Sequence, residues 1–486
     1  WLDGASYSEG MKDVMRAYDA TKHDVWTGLE AKYTDCTGFI KSEAYPELKW
    51  SRTIRARSKK GGIPGVYARV NKVLEKSLFK LRCFIKKVKF PDRPAYMENK
   101  FYDSQLVMSD FTGYEGLFTK SVQQVIQFAI MDTLMAGLSD WQTRGPEIKD
   151  MISKHGRTTF SLVSDWMSGK KKSGEQDTSS SNGGVNALTY GFIQWDKYGL
   201  EFDEIQDELV VEGDDMTSQC IGREPTADDY FDVGLDAKIE YAGDVAESKF
   251  CQIVVAEGQF IIDPIKFLAK FGLNDKKYAN ARKNKHMANA RAKALSTMAM
   301  VNGCPVVSKF CEKILYWTRS YNVSERLLRE NTKFMFKDSG MVIERRYAAK
   351  ASTPVSYHVT SRVFNIDVSV LELIESKIDS CECIGDLAEL NCFFPVDWVT
   401  NWQDKVRTNT KAADYVLGHA MPEQFGLTFD PFNKRRRKLV EIDSFESVLN
   451  QGIIDRDWVT VKKCGEAILR RRKTLTGAPP TLQVVA

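Results

Sequence analysis

Two adjacent aspartates, Asp214 and Asp215, follow the short apolar run Leu209-Val210-Val211 and the pair Glu212-Gly213. With Met216-Thr217 beyond them, the stretch reads as a strand that turns tightly at the glycine and returns, with both acids at the turn. Adjacent like charges repel, and no structural role asks for two of them where an apolar strand ends. A bound divalent cation removes the conflict, so the pair is read as a metal site. A third acid, Asp110, follows Leu106-Val107-Met108-Ser109, a predicted buried strand, and Gly113 beyond it lets the chain change direction. Neighbouring strands presenting acids at one edge would hold two magnesium ions about 4 Å apart, as two-metal phosphoryl chemistry requires.

Two further stretches carry polar chemistry. Ser173-Gly174-Glu175-Gln176-Asp177-Thr178-Ser179-Ser180-Ser181-Asn182 reads as a Ser-Gly loop leading into a helix, with Val185, Leu188 and Phe192 as its apolar stripe. Asn182 can both donate to and accept from a ribose 2′-hydroxyl. Upstream, Phe39 to Pro46 and then Lys49 to Lys60 read as a strand, a turn and a basic second strand, with Lys49, Arg55 and Arg57 on one face and Arg52 either on the other or, if the strand bulges or ends early, beside them. A lone run of this kind is commonly a solvated surface.

Taken together, Lys41-Ser42-Glu43 with Lys49-Trp50-Ser51-Arg52-Thr53-Ile54, Ser109 to Glu115, Ser173 to Asn182, Val211 to Asp215 and Glu247-Ser248-Lys249-Phe250-Cys251-Gln252 resemble motifs F, A, B, C and E of viral RNA-dependent RNA polymerases. The likeness is to the tombusvirus-like and flavivirus-like groups of positive-strand RNA viruses, and spans about residues 39 to 252. It implies an α+β right-hand fold: fingers at 1–105 with motif F, palm at 106–125 and 167–262, a fingers insertion at 126–166, and a helical thumb with a tail at 263–486. The implied activity is template-directed nucleotidyl transfer from nucleoside triphosphates to an RNA 3′-hydroxyl. In that scheme Asp110 and Asp214 bind two Mg²⁺ (or Mn²⁺) ions and Asp215 assists.

The same resemblance assigns the remaining site residues. Lys41, Lys49, Arg52, Arg55 and Arg57 would meet the triphosphate, for which the arginine fork is well shaped. Ser173, Thr178 and Asn182 would recognise the ribose. Glu115 stands where the family usually has aspartate; one methylene longer, it still accepts a hydroxyl hydrogen bond. Lys238, in a helix-then-strand segment from Tyr230 to Tyr241, corresponds to the motif D lysine that protonates pyrophosphate. Cys251 reads as a packed core thiol in a turn supporting the growing strand. A reverse transcriptase would share the carboxylates but usually shows an aromatic and a variable residue before the aspartate pair, where this chain has Glu212-Gly213. A non-catalytic RNA-binding replication factor on a polymerase fold is the other alternative, and the intact carboxylates weigh against it.

The elements that must position these residues belong to a chain of 486 residues with ordinary globular composition and a net charge of +4, so basicity alone does not mark a nucleic-acid binder. No apolar run approaches the roughly 18 residues of a membrane span, and no signal pattern opens the chain. Starting at Trp1, it reads as a piece of something longer. Ten cysteines lack a paired C-x-x-C arrangement, so reduced thiols are expected rather than a zinc ribbon, and His23, His155, His286, His358 and His419 show no ligand spacing. Residues 72 to 89 are predicted as an amphipathic basic helix, Val122 to Leu138 as helical, and Gly145-Pro146 as a break. Asp103 and Asp132 read as surface or capping acids. Ile265 to Lys293 predicts helices with a basic face, and the cluster at 434–438 reads first as an RNA-backbone contact, with membrane-surface or partner contact and simple solubility as alternatives, ahead of a loose tail from Gly477. Expected partners are the RNA template and product, nucleoside triphosphates and other viral replication proteins, at replication complexes in the host cytoplasm.

Overall fold

Leu209, Val210 and Val211 are wholly buried, as a continuous apolar run should be when a strand is covered on both faces. They form β6 (Leu209–Glu212), the edge of a four-stranded antiparallel sheet completed by β7 (Asp215–Gln219), β3 (Leu106–Phe111) and β8 (Ala237–Ala242) in the order β6-β7-β3-β8. The computed structural model describes residues 35–40, 53–57, 63–111, 113–138, 141–153, 156–159, 164–167, 171–175, 177–271, 281–331, 347, 349–395 and 398. Lys41, Lys49, Arg52, Lys276, Lys277, the cluster at 434–438 and the tail from Gly477 lie outside them.

A second sheet, in the order β2-β1-β4-β5, combines β1 (Cys36–Ile40), β2 (Thr53–Arg57), β4 (Gly156–Thr159) and β5 (Ser164–Met167). The predicted basic second strand is β2, paired antiparallel with β1 so that Phe39 stands opposite Ile54; of the first strand expected from Phe39, only Phe39 and Ile40 lie in β1, and residues 41–52 are outside the described part. A short hairpin of β9 (Val254–Ala256) and β10 (Gln259–Ile261) follows the central sheet.

Helices back the central sheet: α1 (Ile63–Leu78), α2 (Arg93–Lys100), α3 (Tyr114–Leu117), α4 (Phe128–Met135), α5 (Trp141–Ser153), α6 (Thr178–Tyr198) and α7 (Ala227–Asp232). One turn of π-helix, Gln123–Gln127, leads into α4. Below β3, Phe111 stacks against Tyr114 at 4.6 Å between ring centroids and meets the edge of Tyr230 at 5.5 Å; Tyr114 meets Phe118 at 5.1 Å. This aromatic chain anchors the segment that follows Asp110.

Four expectations are corrected. The helix predicted over 72–89 ends at Leu78, because Cys83 and Phe84 leave helical geometry to pair with β6: the Val211 N–H donates to the Cys83 carbonyl at 2.8 Å. Backbone pairing at an exposed sheet edge outweighs the helical periodicity. Pro146 lies inside α5 rather than breaking it, with the Trp141 ring packed over Gly145 and Ile148, Met151 and Ile152 buried. In α6, Val185 is buried but Phe192 is half exposed; from Ser180 to Gln194 the helix is covered on nearly every side, so its outward strip is Leu188 and Phe192. β3 also extends one residue past Asp110, to Phe111.

The chain divides into two compact units, one running to Ile261 and the other beginning at Ile262. Described residues of the second are helical: α8 (Pro264–Phe271), α9 (Lys283–Val301), α10 (Val307–Trp317), α11 (Glu325–Asn331), α12 (Pro354–Phe364) and α13 (Val368–Ser380). Phe267, Phe271 and Phe310 form its aromatic centre. The basic face predicted over 265–293 is only partial, since Arg291 donates to the Leu315 carbonyl and Lys293 to that of Phe271. The fold is α+β, and among the described residues no helix is long and apolar enough to cross a membrane.

Truncating Phe111 removes the ring that ties β3 to two aromatic neighbours, Tyr114 and Tyr230. Phe111→Ala is expected to cost about 3–5 kcal/mol, read as a lower thermal unfolding midpoint of the first unit.

Candidate functional site

Gly213 and Asp214 form a two-residue turn between β6 and β7, with Glu212 paired to Asp215 across it. Gly213 takes φ +68° while Asp214 keeps a negative φ, the pattern of a type II′ hairpin turn. The register of β3 against β7 pairs Ser109 with Met216, so the next step sets Asp110 opposite Asp215. On its other side Asp110 pairs with Lys238 of β8. One rung across the sheet therefore reads Glu212, Asp215, Asp110, Lys238, with Asp214 at the adjoining turn. Residues facing each other across strands hold their Cβ atoms roughly 4.5–5.5 Å apart.

The crowding has an electrostatic signature. Burial pushes the Asp215 carboxyl up to about 6, and the Asp214, Asp110 and Glu212 carboxylates add to the rise; a hydrogen bond from the Cys251 thiol opposes it. Glu212 is neutralised by Arg93 at 2.8 Å and Lys86 at 3.2 Å. Asp110, Asp214 and Asp215 thus supply hard oxygen donors at one edge, which suits Mg²⁺ or Mn²⁺. Register gathers these carboxylates, and among the described residues no group of three or more His, Cys, Asp or Glu side chains is placed to hold a metal ion.

Cys251 departs from its expected packing role. It and Gln252 turn the chain between Phe250 and Ile253 with φ +53° and +62°, a conformation that costs a non-glycine residue roughly 1–2 kcal/mol. The strained turn directs the thiol to Asp215, and burial followed by the Asp215 and Glu212 charges pushes its pKa far up, so it remains a donor. Lys238 is exposed and ion-paired with Glu240, which raises its pKa and holds its proton.

The Ser-Gly loop meets the basic strand directly. The Arg55 N–H donates to Ser173 Oγ at 3.3 Å, the Gly174 N–H donates to the Arg55 carbonyl at 2.9 Å, and the Arg55 guanidinium donates to the Lys171 carbonyl at 3.0 Å. A Cβ on Gly174 would stand 2.8 Å from that Arg55 carbonyl oxygen, so glycine is required. Thr178 donates back into the loop, at 2.8 Å to the Glu175 carbonyl. Arg57 ends β2, and nothing of its side chain lies within the described part.

Beneath the loop is a network with no sequence motif. Lys171 and Asp177 are both fully buried and paired at 2.8 Å; Tyr67 and Gln127 of the π-turn also donate to Asp177, and Lys171 lies over the Phe118 ring. From this base α6 carries Asn182, which is 1% exposed and whose side-chain oxygen has no hydrogen-bond partner. The Tyr114 hydroxyl donates to the Asn182 carbonyl at 3.3 Å, linking the segment that holds Glu115 to the helix. One turn on, Asn186 Nδ2 donates to the Asp214 carbonyl at 3.0 Å and the Gly213 carbonyl at 3.4 Å. No motif in the sequence singles out Asn186; its signal is the four-residue spacing from Asn182.

No protein-family model matches the chain, and no curated protein matches it by sequence.

Two outcomes test this account of the site. Lys171→Met leaves the Asp177 carboxylate unpaired in the interior and is expected to cost about 3–5 kcal/mol, read by denaturant unfolding. For Asp215, the folded state binds its proton more tightly than an unfolded aspartate of pKa about 3.9, so ionisation destabilises. The penalty is absent below about pH 4, grows with pH, and is complete above about 6. Without divalent ions, Asp215→Asn is therefore expected to melt higher than the parent at neutral pH and to match it at about pH 4.

Proposed function

We propose that this chain is an RNA-directed RNA polymerase of right-hand architecture, with the central sheet as palm, β1 and β2 in the fingers and the helical second unit as thumb. The observation that carries the reading is the convergence of Asp110 with Asp214 and Asp215 at one sheet edge, beside a helix that bears an unpaired buried amide oxygen on Asn182. The right-hand arrangement and the viral origin belong to the proposal.

In this reading Asp110, Asp214 and Asp215 hold two divalent cations, and burial together with the neighbouring carboxylates, which raise the Asp215 carboxyl, is the conflict that such cations relieve. Cations bound there would lower the pKa of the attacking 3′-hydroxyl and neutralise charge at the α-phosphate. Arg55, with Lys41, Lys49, Arg52 and Arg57 from the same segment, orients the triphosphate. Ser173 and Thr178 shape the wall against which the ribose lies, and Asn182 reads its 2′-hydroxyl, as Glu115 accepts from the neighbouring hydroxyl. Lys238 donates a proton to departing pyrophosphate after exchanging its Glu240 partner for phosphate.

Extension of a primed RNA template with nucleoside triphosphates is expected in Mg²⁺ and lost in EDTA. Asp214→Asn is expected to reduce incorporation to background while changing unfolding free energy by less than about 1 kcal/mol. Parental rates from that variant would remove the assignment, and a preference for deoxynucleotides would indicate a reverse transcriptase.

A further inference from the structure

The carbonyls of Gly213 and Asp214 lie outside the β6–β7 pairing, because these two residues are the turn itself. Asn186, fully buried in α6, meets both through one amide group. Two carbonyl acceptors fix which end of the amide faces them. One turn earlier, a Cβ on Gly183 would stand 3.3 Å from the Gly213 nitrogen and 2.8 Å from the Phe84 ring, so only glycine lets the helix lie this close to the turn. Asn182 and Asn186, four residues apart, share one side of α6.

The Asn186 side-chain oxygen has no hydrogen-bond partner. A leucine has nearly the same branched shape and would remove that orphaned oxygen, but it would leave the two turn carbonyls without this donor. What the amide supplies is direction.

We infer that Asn186 is a positioning residue that fixes the backbone of the metal-binding turn to the sugar-facing helix. Asp214 is then placed by α6, and the element that registers the ribose through Asn182 also sets the carboxylate that holds the cation. The substrate named here rests on the polymerase reading; the link between Asn186 and the turn does not. Residues that orient metal ligands from behind typically alter metal affinity by 10–100-fold, roughly, when removed.

The test compares Asn186→Leu, Asn186→Ser and Asn182→Ala with the parent. It reads Mn²⁺ affinity of the free protein by electron paramagnetic resonance, the Mg²⁺ concentration for half-maximal primer extension, and ribose-over-deoxyribose selectivity. Both Asn186 variants are expected to bind Mn²⁺ about tenfold more weakly or worse and to need correspondingly more Mg²⁺, with selectivity unchanged. Asn182→Ala is expected to lose selectivity while keeping parental metal affinity. Parental Mn²⁺ affinity in either correctly folded Asn186 variant overturns the inference, as does a parent protein that binds no Mn²⁺. If the parent binds Mn²⁺ but incorporates no nucleotide, the polymerase reading falls, and weaker Mn²⁺ binding by the Asn186 variants still supports the positioning role.

Discussion

Carboxylates that repel one another are held together at one edge of the central sheet, and much of the surrounding structure answers that repulsion. Asp110, Asp214, Asp215 and Glu212 are brought there by strand register, which is itself fixed by apolar side chains that must face the interior. Their charges are not balanced evenly. Glu212 is satisfied by Arg93 and Lys86, whereas burial, with the neighbouring carboxylates adding to it, raises the Asp215 carboxyl against a hydrogen bond from Cys251.

Holding such an edge in place takes polar groups where apolar ones would be easier to bury. The Lys171–Asp177 pair anchors the start of α6, the π-turn delivers Gln127 to it, and the Cys251–Gln252 turn is strained to bring a thiol to Asp215. Buried ion pairs add little net stability compared with well-packed apolar residues, and strained turns subtract from it. Polar groups and strain of this kind, kept in spite of their cost, are what a site built for geometry looks like. Elsewhere in the same unit the core is ordinary: aromatic and aliphatic side chains in close contact.

The Ser-Gly loop shows how two sequence segments become one surface. Gly174 approaches the Arg55 backbone so closely that no side chain fits, and the exchange of hydrogen bonds between Arg55 and residues 173 and 174 joins the loop to the second sheet. An arginine read from the sequence as a phosphate contact therefore also carries the loop that precedes α6. Its guanidinium is partly occupied by the Lys171 carbonyl, which sets its direction.

The sequence by itself determined the local events: the hairpin at Gly213-Asp214, the strand before Asp110, the loop-to-helix transition before Asn182 and the β1–β2 pair, because turn glycines, apolar runs and cap residues act over a few neighbours. It could not show that residues 79–89 abandon helix for the edge of β6, that Pro146 is tolerated inside α5, or that Phe192 faces outward, since each depends on which surface the segment meets. Nor could it reveal the Lys171–Asp177 network, the Cys251 thiol against Asp215, or Asn186 gripping the turn. Those contacts join positions far apart in the chain, and only tertiary packing decides which buried polar groups find one another.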